Sequence, residues 1–173
     1  MRMICSVFIA AIAAAALLIA QATPIQAKAD IKDAKGQMVG QATLTETPRG
    51  VQIRLTLIGV PEGTHAFHIH ETGKCDPPMF TTAGGHFNPD HKQHGKDNPM
   101  GRHAGDLPSV TVPASGRLIV EHVEPMVTLK AGAANSLFDA DGAALVIHQA
   151  PDDNKTDPAG HAGARIACGV ITK

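Results

Sequence analysis

The chain has 173 residues, a formal net charge of −1 and 18% charged residues, so its composition does not suggest a basic surface for nucleic acid. It contains no tryptophan or tyrosine and only 3% aromatic residues, so any core must be built mainly from Val, Ile, Leu and Ala. Ten histidines lie after residue 64, and seven of them fall between His65 and His103. This concentration of histidine is the feature of the composition that most requires a functional explanation.

The first 27 residues differ in composition from the rest of the chain. Arg2 precedes an uninterrupted apolar run of 14 residues, Val7 to Ala20, and small and polar residues follow that run. This order is typical of a secretory signal peptide, cleaved after Ala27 or after Ala29. A transmembrane anchor is the alternative, but an anchor needs about 20 apolar residues. We therefore predict an exported protein.

Signal cleavage would leave two of the three cysteines. Cys5 would depart with the signal peptide, whereas Cys75 and Cys168 would remain in residues 28–173. Two thiols in an oxidising compartment predict one disulfide, and the alternative is a pair of inert buried thiols. The remaining chain would carry 14 Lys and Arg against 16 Asp and Glu, a net charge of −2. Its length of about 145 residues suits a single domain with one core. After cleavage of the signal peptide, we expect no membrane association.

Short segments with alternating apolar and polar residues predict an all-β fold. In Val51 to Ile58 the odd positions are apolar and positions 52, 54 and 56 are polar, as in a half-buried strand. Similar segments, separated by turns that contain Gly or Pro, are 39–45, 64–70, 118–123, 126–129, 144–148 and 165–172. No segment after residue 27 has a sustained helical period. The pattern predicts an antiparallel β-sandwich or barrel.

Two long segments interrupt the strand pattern, residues 71–110 and residues 149–164. Both are rich in Gly, Pro, Asp, Asn and His. Loops of this length inside a compact domain are usually functional or disordered. Candidate ligands flank each segment and a cysteine lies at or near one end of each, which favours function. We therefore expect two site-forming loops on a rigid sheet scaffold.

Histidines beside the first long loop are candidate metal ligands. In the strand predicted at residues 64–70, alternation places His65 and Phe67 on the core face, and His68 and His70 on the outer face. Two neighbouring imidazoles on one face can chelate a metal ion. His65 shares the core face and is expected to be a hydrogen-bonded structural histidine.

A second group of residues has the composition of a structural zinc site. Three imidazoles and one carboxylate complete a four-coordinate zinc site with no open position, and the candidates are His86, His94, His103 and Asp106. His148 ends an apolar strand, where a solvated polar residue or a ligand would both fit. Each of these histidines, taken singly, has an ordinary interpretation as a loop residue.

Together these residues resemble the copper–zinc superoxide dismutase family, of the bacterial exported type, over nearly all of the chain after residue 27. The matching segments follow the family's order and are GTHAFHIHE at 63–71, GHFNP at 85–89, GRHAGDL at 101–107 and GARIACGV at 163–170. The resemblance implies a Greek-key β-sandwich or barrel, a periplasmic location, and copper and zinc as cofactors. It implies an enzyme that disproportionates superoxide to dioxygen and hydrogen peroxide. A homodimer is compatible with it.

The resemblance also implies the metal ligands. Copper would be held by His68, His70, His86 and His148, and zinc by His86, His94, His103 and Asp106. His86 would then be shared by the two metals, and in the family's scheme it also carries a proton to the nascent peroxide. An imidazole can bind two cations only as imidazolate, and two divalent ions supply the charge that removes its second proton.

Further positions match residues that support the family's site. By the resemblance, Asp152 would accept hydrogen bonds from His68 and His94 and so orient both rings. Its alternative role is that of a loop-capping aspartate. Arg165 would guide the anionic substrate beside copper, and a disulfide between Cys75 and Cys168 would fix the strand that carries this arginine.

Some features depart from the family's pattern. Residues 76–83, DPPMFTTA, are as in bacterial rather than animal members, and Lys155 is the only fixed positive charge in residues 152–164, which puts long-range guidance in doubt. His91, His122 and His161 match no ligand and are expected to be solvated. The alternative function, an exported copper- or zinc-binding protein without turnover, would be expected to lack a copper ligand or Arg165.

Overall fold

The computed structural model describes residues 23–173, so that Cys5 and the apolar run before residue 23 lie outside the described residues. In this part of the chain there are nine strands and one 3-10 turn, Thr81–Ala83. The strands are β1 (Gln26–Asp33), β2 (Met38–Thr47), β3 (Gly50–Ile58), β4 (Gly63–His65), β5 (Phe67–His70), β6 (Val110–Val112), β7 (Arg117–Glu124), β8 (Ala144–His148) and β9 (Arg165–Val170). Within the same range, no helix is long and apolar enough to cross a membrane.

The strands form a curled antiparallel sheet, which confirms the predicted all-β sandwich. Seven strands are hydrogen-bonded in the order β5-β8-β9-β1-β2-β3-β7, and β4 and β6 form a separate pair. Strand β5 therefore leaves its chain neighbours and joins the far edge beside β8, a crossover consistent with Greek-key topology. The inward positions of β1, β2, β3, β5 and β8 are apolar and pack into one main core.

Most predicted strands are present, with bounds that differ by a few residues. In β3 the alternation holds, since Val51, Ile53, Leu55 and Leu57 are buried. The segment predicted at 126–129 is a turn and not a strand. The Glu46 carboxylate accepts hydrogen bonds from the Thr128 hydroxyl and the Leu129 N–H, at 2.9 and 2.7 Å, so a side chain and not a partner strand binds this backbone N–H.

The strand predicted at 64–70 is divided at Ala66 into β4 and β5. The Ala66 N–H donates to the Ala150 carbonyl and the Ala66 carbonyl accepts from the His148 N–H, at 2.8 and 2.9 Å. Before Ala66 the chain pairs with β6, as strand β4, and after Ala66 it pairs with β8, as strand β5. The hydrogen bonds of Ala66 also attach the loop 149–164 to the start of the strand that carries His68 and His70.

Strand β1 was not predicted as a strand, because its alternation is carried by small residues at its start. Ala27, Ala29 and Ile31 are buried, and β1 pairs with β2 from Gln26↔Thr45 onward. Both predicted cleavage positions, after Ala27 and after Ala29, therefore fall inside this strand.

The two long loops pack on each other and on the sheet. The Asp97 N–H donates to the Asn154 carbonyl at 2.9 Å, and the His94 N–H donates to Asp157 Oδ1 at 2.6 Å. Near the sheet, the Ile69 N–H donates to the Gly105 carbonyl at 2.9 Å. The loops thus cover the outer face of β5 and position the residues that they carry.

A disulfide joins Cys75 in the first long loop to Cys168 in β9, as predicted. The two Cα atoms are 5.7 Å apart and the sequence separation is 93 residues. In the chain-entropy description, closing a loop of this length stabilises the fold by about 4–5 kcal/mol. The bond also fixes one end of the first long loop next to the strand that begins at Arg165.

Candidate metal centre

The site is built on β5 and β8, which are antiparallel neighbours. His68 lies opposite Val146 in the register, and His148 ends β8. His68 and His70 are fully buried, so the face that alternation assigned to the outside is not exposed to solvent. The sequence pattern separated the two faces correctly, but the long loops cover the second one.

The first group of candidate ligands consists of four neighbouring imidazoles: His68, His70, His86 and His148. One ligand atom from each lies within 4.8 Å of the others. His70 Nε2 and His148 Nε2 are 3.4 Å apart. His68 Nδ1 and His86 Nε2 are buried and have no hydrogen-bond partner among the described residues.

The second group surrounds a single carboxylate oxygen. Asp106 Oδ1 is 2.8 Å from His86 Nδ1, 3.0 Å from His94 Nδ1 and 3.2 Å from His103 Nδ1. The other carboxylate oxygen, Oδ2, accepts hydrogen bonds from the backbone N–H groups of Gly95 and His103, at 2.9 and 3.0 Å. These bonds fix the carboxylate with Oδ1 facing the imidazoles.

His86 belongs to both groups. Its Nδ1 faces Asp106, whereas its Nε2 is the unpartnered atom of the first group. The ring is 4.0 Å from the ring of His68 and 5.5 Å from the ring of His103, measured between centroids. The imidazole thus lies between the two groups with one nitrogen directed into each.

The Asp152 carboxylate connects the two groups, because it binds one histidine of each. Its Oδ2 is 2.7 Å from His68 Nε2, and its Oδ1 is 2.9 Å from His94 Nε2. The Asn154 N–H donates to the same Oδ1 at 2.6 Å. When both rings donate Nε2–H to this carboxylate, their Nδ1 lone pairs are directed into the first and second groups, as a metal ligand requires.

Three imidazoles of the first group, His70, His86 and His148, have lowered pKa values. Burial, together with the neighbouring imidazoles, lowers the pKa of His86 to about 4 and that of His148 to about 3, and it lowers the pKa of His70 well below its usual value. Neutral imidazole is the form that binds a metal ion. The lone pairs of these three imidazoles are therefore available at neutral pH.

The carboxyl groups of Asp106 and Asp152 have lowered pKa values, and the cause is hydrogen bonding. Burial would raise the pKa of Asp106, but hydrogen bonds from His103, His86 and His94 outweigh burial and hold that pKa well below its usual range. Bonds from His68 and His94 lower the pKa of Asp152 in the same way, again against burial. Two ionised carboxylates in a buried cluster favour cations.

The donor atoms fit two metal ions of different kinds. An unpaired buried polar atom is costly, and a cation that accepts the lone pairs of His68 Nδ1 and His86 Nε2 removes this cost. Four imidazole nitrogens suit copper, whereas three imidazoles and a carboxylate complete the tetrahedral set of a structural zinc site.

A cavity of about 480 Å³ leads from the surface to the first group. It is lined by His70, His86, His148, Arg165, Glu71 and His91, among others. Arg165 donates to the carbonyls of Phe80 and Gly84, at 2.7 and 2.6 Å, and burial lowers its pKa. The guanidinium is thus held at the cavity by backbone atoms of the loop that the disulfide fixes.

Three histidines without an expected ligand role take different positions. His91 is exposed and lines the cavity, and His161 is exposed with Nδ1 3.2 Å from Asp153 Oδ2. His122 is not fully solvated as expected. It is half-buried, and its Nε2 lies 3.4 Å from the buried Glu124 carboxylate.

The sequence reasoning did not identify Glu124 as a residue that supports the site. Its carboxylate is fully buried and accepts two hydrogen bonds from the Arg102 guanidinium, at 2.9 and 3.0 Å. Arg102 also donates to the Asp106 carbonyl at 2.9 Å. This pair anchors the loop segment that carries His103 and Asp106 to the end of β7. The sequence shows only an acidic residue directly after a predicted strand, and this does not indicate that the carboxylate is buried.

Comparison with known proteins agrees with this site. Residues 38–171 match the family model for copper/zinc superoxide dismutase. The copper-zinc superoxide dismutase 1 of Aquifex aeolicus is 52% identical over 151 residues, which is 87% of this chain and 89% of the relative. The copper-zinc superoxide dismutase of Caulobacter vibrioides is 46% identical over 147 residues, 84% of each chain.

Solved structures show the same fold. The crystal structure of a superoxide dismutase-like protein from Bacillus subtilis has a TM-score of 0.81 at 40% identity, covering 84% of this chain and 97% of that chain. The copper/zinc superoxide dismutase from Brucella abortus has a TM-score of 0.70 at 28% identity, covering 86% and 100%.

A curled antiparallel sheet with a buried cluster of histidines and aspartates is typical of a β-sandwich metalloprotein. The cluster contains two adjoining groups of side chains that could each bind a metal ion. The chain belongs to the copper–zinc superoxide dismutase family. It is an enzyme that disproportionates superoxide to dioxygen and hydrogen peroxide, with copper and zinc as cofactors.

Proposed function

We propose that copper is bound by His68, His70, His86 and His148, that zinc is bound by His86, His94, His103 and Asp106, and that His86 bridges the two metals. The observation that carries the proposal is the position of the His86 ring, with Nδ1 2.8 Å from Asp106 Oδ1 and a buried, unpartnered Nε2 in the other group. A ring that serves two cations does so as imidazolate.

A copper ion held by the four imidazoles of the first group would supply one-electron redox chemistry, so that one superoxide is oxidised to dioxygen and a second is reduced. His86 supplies a proton for the reduced product. Its Nε2 could hold a proton whenever that atom is not a ligand, and the ring lines the cavity through which that proton can be replaced from solvent. Meanwhile Asp106, His94 and His103 hold the Nδ1 side of the ring in place. The second proton of hydrogen peroxide comes from water in the cavity.

Arg165 is proposed to capture the substrate. Superoxide is a small anion with little surface to bury, so its encounter with the site depends on charge. The Arg165 guanidinium lines the cavity together with His70 and His148, whereas Glu71 on the cavity wall is of the opposite charge. Unlike lysine, a guanidinium does not lose its proton in proteins. A fixed local charge can therefore attract the anion although the chain's net charge is negative.

Elemental analysis of two variants tests the ligand assignment. Asp106→Ala should lose zinc and keep most of its copper, because the four imidazoles of the first group remain. His148→Ala should lose copper and keep most of its zinc. Equal loss of both metals in both variants would contradict two separate sites joined only through His86.

We also propose export to the periplasm through a cleaved signal peptide. The disulfide between Cys75 and Cys168 supports an oxidising compartment. Because β1 begins at Gln26, the cut is proposed upstream of this strand, and the small residues Ala20 and Ala22 match the usual cleavage pattern. Intact mass of the periplasmic protein checks this, and a mature chain that begins at Lys28 or Asp30 would contradict it.

A homodimer is proposed as the assembly. Ile58 and Ile119 are 49% and 55% exposed on neighbouring strands β3 and β7, and their exposed apolar surface supports association. Sedimentation equilibrium of the wild type and of Ile119→Lys tests the proposal. If the wild type sedimented as a monomer at every protein concentration measured, the homodimer would be excluded.

A further inference from the structure

Gly160 lies directly over the hydrogen bond between Asp152 and His94. The two bonded atoms, Asp152 Oδ1 and His94 Nε2, are 2.9 Å apart. A Cβ atom built on Gly160 would overlap Asp152 Oδ1, lie 2.7 Å from Asp152 Cγ and lie 2.6 Å from His94 Nε2. A methyl group at this position would therefore enter the hydrogen bond itself.

The backbone around Gly160 is fixed, so that the overlap cannot be relieved by moving the glycine. The Gly160 N–H donates to the Thr156 carbonyl at 2.7 Å, and the Gly160 carbonyl accepts from the Asp153 N–H at 3.0 Å. The second bond attaches Gly160 to the residue next to Asp152. Gly160 and the carboxylate thus move together, and the side chains of Asp152 and His94 would have to separate.

Backbone conformation alone does not explain this glycine. Gly160 has φ +64°, and Gly163 in the same loop has a similar φ of +75°. A Cβ on Gly163 would make ordinary contacts, the nearest at 3.6 Å from the Gln149 Cβ. The two glycines therefore share the same conformational demand, and they differ in what a side chain would meet.

We propose that Gly160 is a positioning residue, whose missing side chain leaves the space in which Asp152 orients His94 toward zinc. The proposal rests on the assignment of His94 as a zinc ligand. Zinc binding is expected to depend on Gly160 more than copper binding does, because the methyl group would contact His94 directly and would reach His68 only through the Asp152 carboxylate, whose Oδ2 is 2.7 Å from His68 Nε2.

Zinc affinity of three disulfide-bonded proteins, measured by competition with a chromophoric chelator, tests the proposal. Loss of a carboxylate that orients a ligand typically weakens metal binding about 10–100-fold. Gly160→Ala should raise the zinc dissociation constant about tenfold or more, whereas Gly163→Ala should stay close to the wild type. Cobalt(II) bound in place of zinc should show an altered visible spectrum in Gly160→Ala alone. Thermal unfolding of the metal-free proteins shows whether each variant is folded before zinc is added.

A double variant keeps the test informative if Gly160→Ala folds poorly. In an Asp152→Ala background the worst overlap is absent and the hydrogen bond is already lost. The zinc loss of the double variant should therefore be smaller than the product of the two single losses. Multiplicative losses, or equal affinities and cobalt spectra for Gly160→Ala and Gly163→Ala, would overturn the proposal. If the wild type bound no zinc, the ligand assignment would fail instead.

Discussion

Replacing Glu124 by glutamine should destabilise the fold far more than the same change at Glu121. Both residues lie on β7 and both pair with an arginine, but the Glu124 side chain is fully buried whereas Glu121 is 47% exposed. Breaking a buried ion pair costs about 3–5 kcal/mol, and we take about 3 kcal/mol because Arg102 is 24% exposed and keeps some solvation. An exposed pair such as Arg54–Glu121 contributes about 0–1 kcal/mol.

These energies give a measurable difference in thermal stability. For a domain of this size, 1 kcal/mol corresponds to a shift of about 2–4 °C in Tm. Glu124→Gln should therefore lower Tm by about 6–12 °C, and Glu121→Gln by no more than about 4 °C. Calorimetry of the metal-free, disulfide-bonded proteins measures both shifts. Equal shifts would refute the view that the buried pair anchors the loop segment that carries His103 and Asp106 to the end of β7.

The pH dependence of this difference follows from the pKa of Glu124. Burial would raise that pKa, but hydrogen bonds from His122 and Arg102 outweigh burial and lower it in the folded protein. A carboxyl group with a depressed pKa stabilises the fold above its unfolded-state pKa, and the contribution is lost as pH falls through the folded-state pKa. The Tm difference between wild type and Glu124→Gln should be full at pH 7 and should shrink below about pH 4.

Four further predictions concern the site and the disulfide. Arg165→Ile should lower kcat/KM about tenfold or more with both metals bound, and Arg165→Glu should lower it further; full activity of Arg165→Glu in stopped-flow assays would exclude a guiding role. Wild-type kcat/KM should fall as ionic strength rises toward 0.15 M, where screening acts beyond about 8 Å, and insensitivity to salt would confine guidance to short range. Mature protein should contain no free thiol, and reduction of Cys75–Cys168 should destabilise it by about 4 kcal/mol, as measured by intact mass and denaturant titration. Asp152→Ala should weaken zinc binding about 10–100-fold, and unchanged zinc affinity would show that His94 needs no orienting carboxylate.

The alternation of apolar residues was sufficient to predict the all-β class and most strands, because a half-buried strand must place its side chains on two faces. Strand β1 was not predicted, because Ala27 and Ala29 give only a weak apolar alternation. Its pairing with β2 and β9 is what identifies the segment as a strand. The segment 126–129 was predicted as a strand, because the sequence does not show that its Leu129 N–H is bound by Glu46, a residue far away in the chain.

The sequence by itself determined the kinds of ligand and their order along the chain. Histidine and aspartate types, together with the motifs that resemble the family, are local properties and can be read without coordinates. Only the tertiary structure decided the rest, because those features depend on contacts between distant segments. Examples are the burial of Glu124 against Arg102, the burial of His68 and His70 under two loops, and the closeness of Gly160 to the Asp152 carboxylate. The sequence does not distinguish a loop glycine that faces solvent from one that packs against a hydrogen bond, because the difference lies in the neighbouring residues that folding brings close to it.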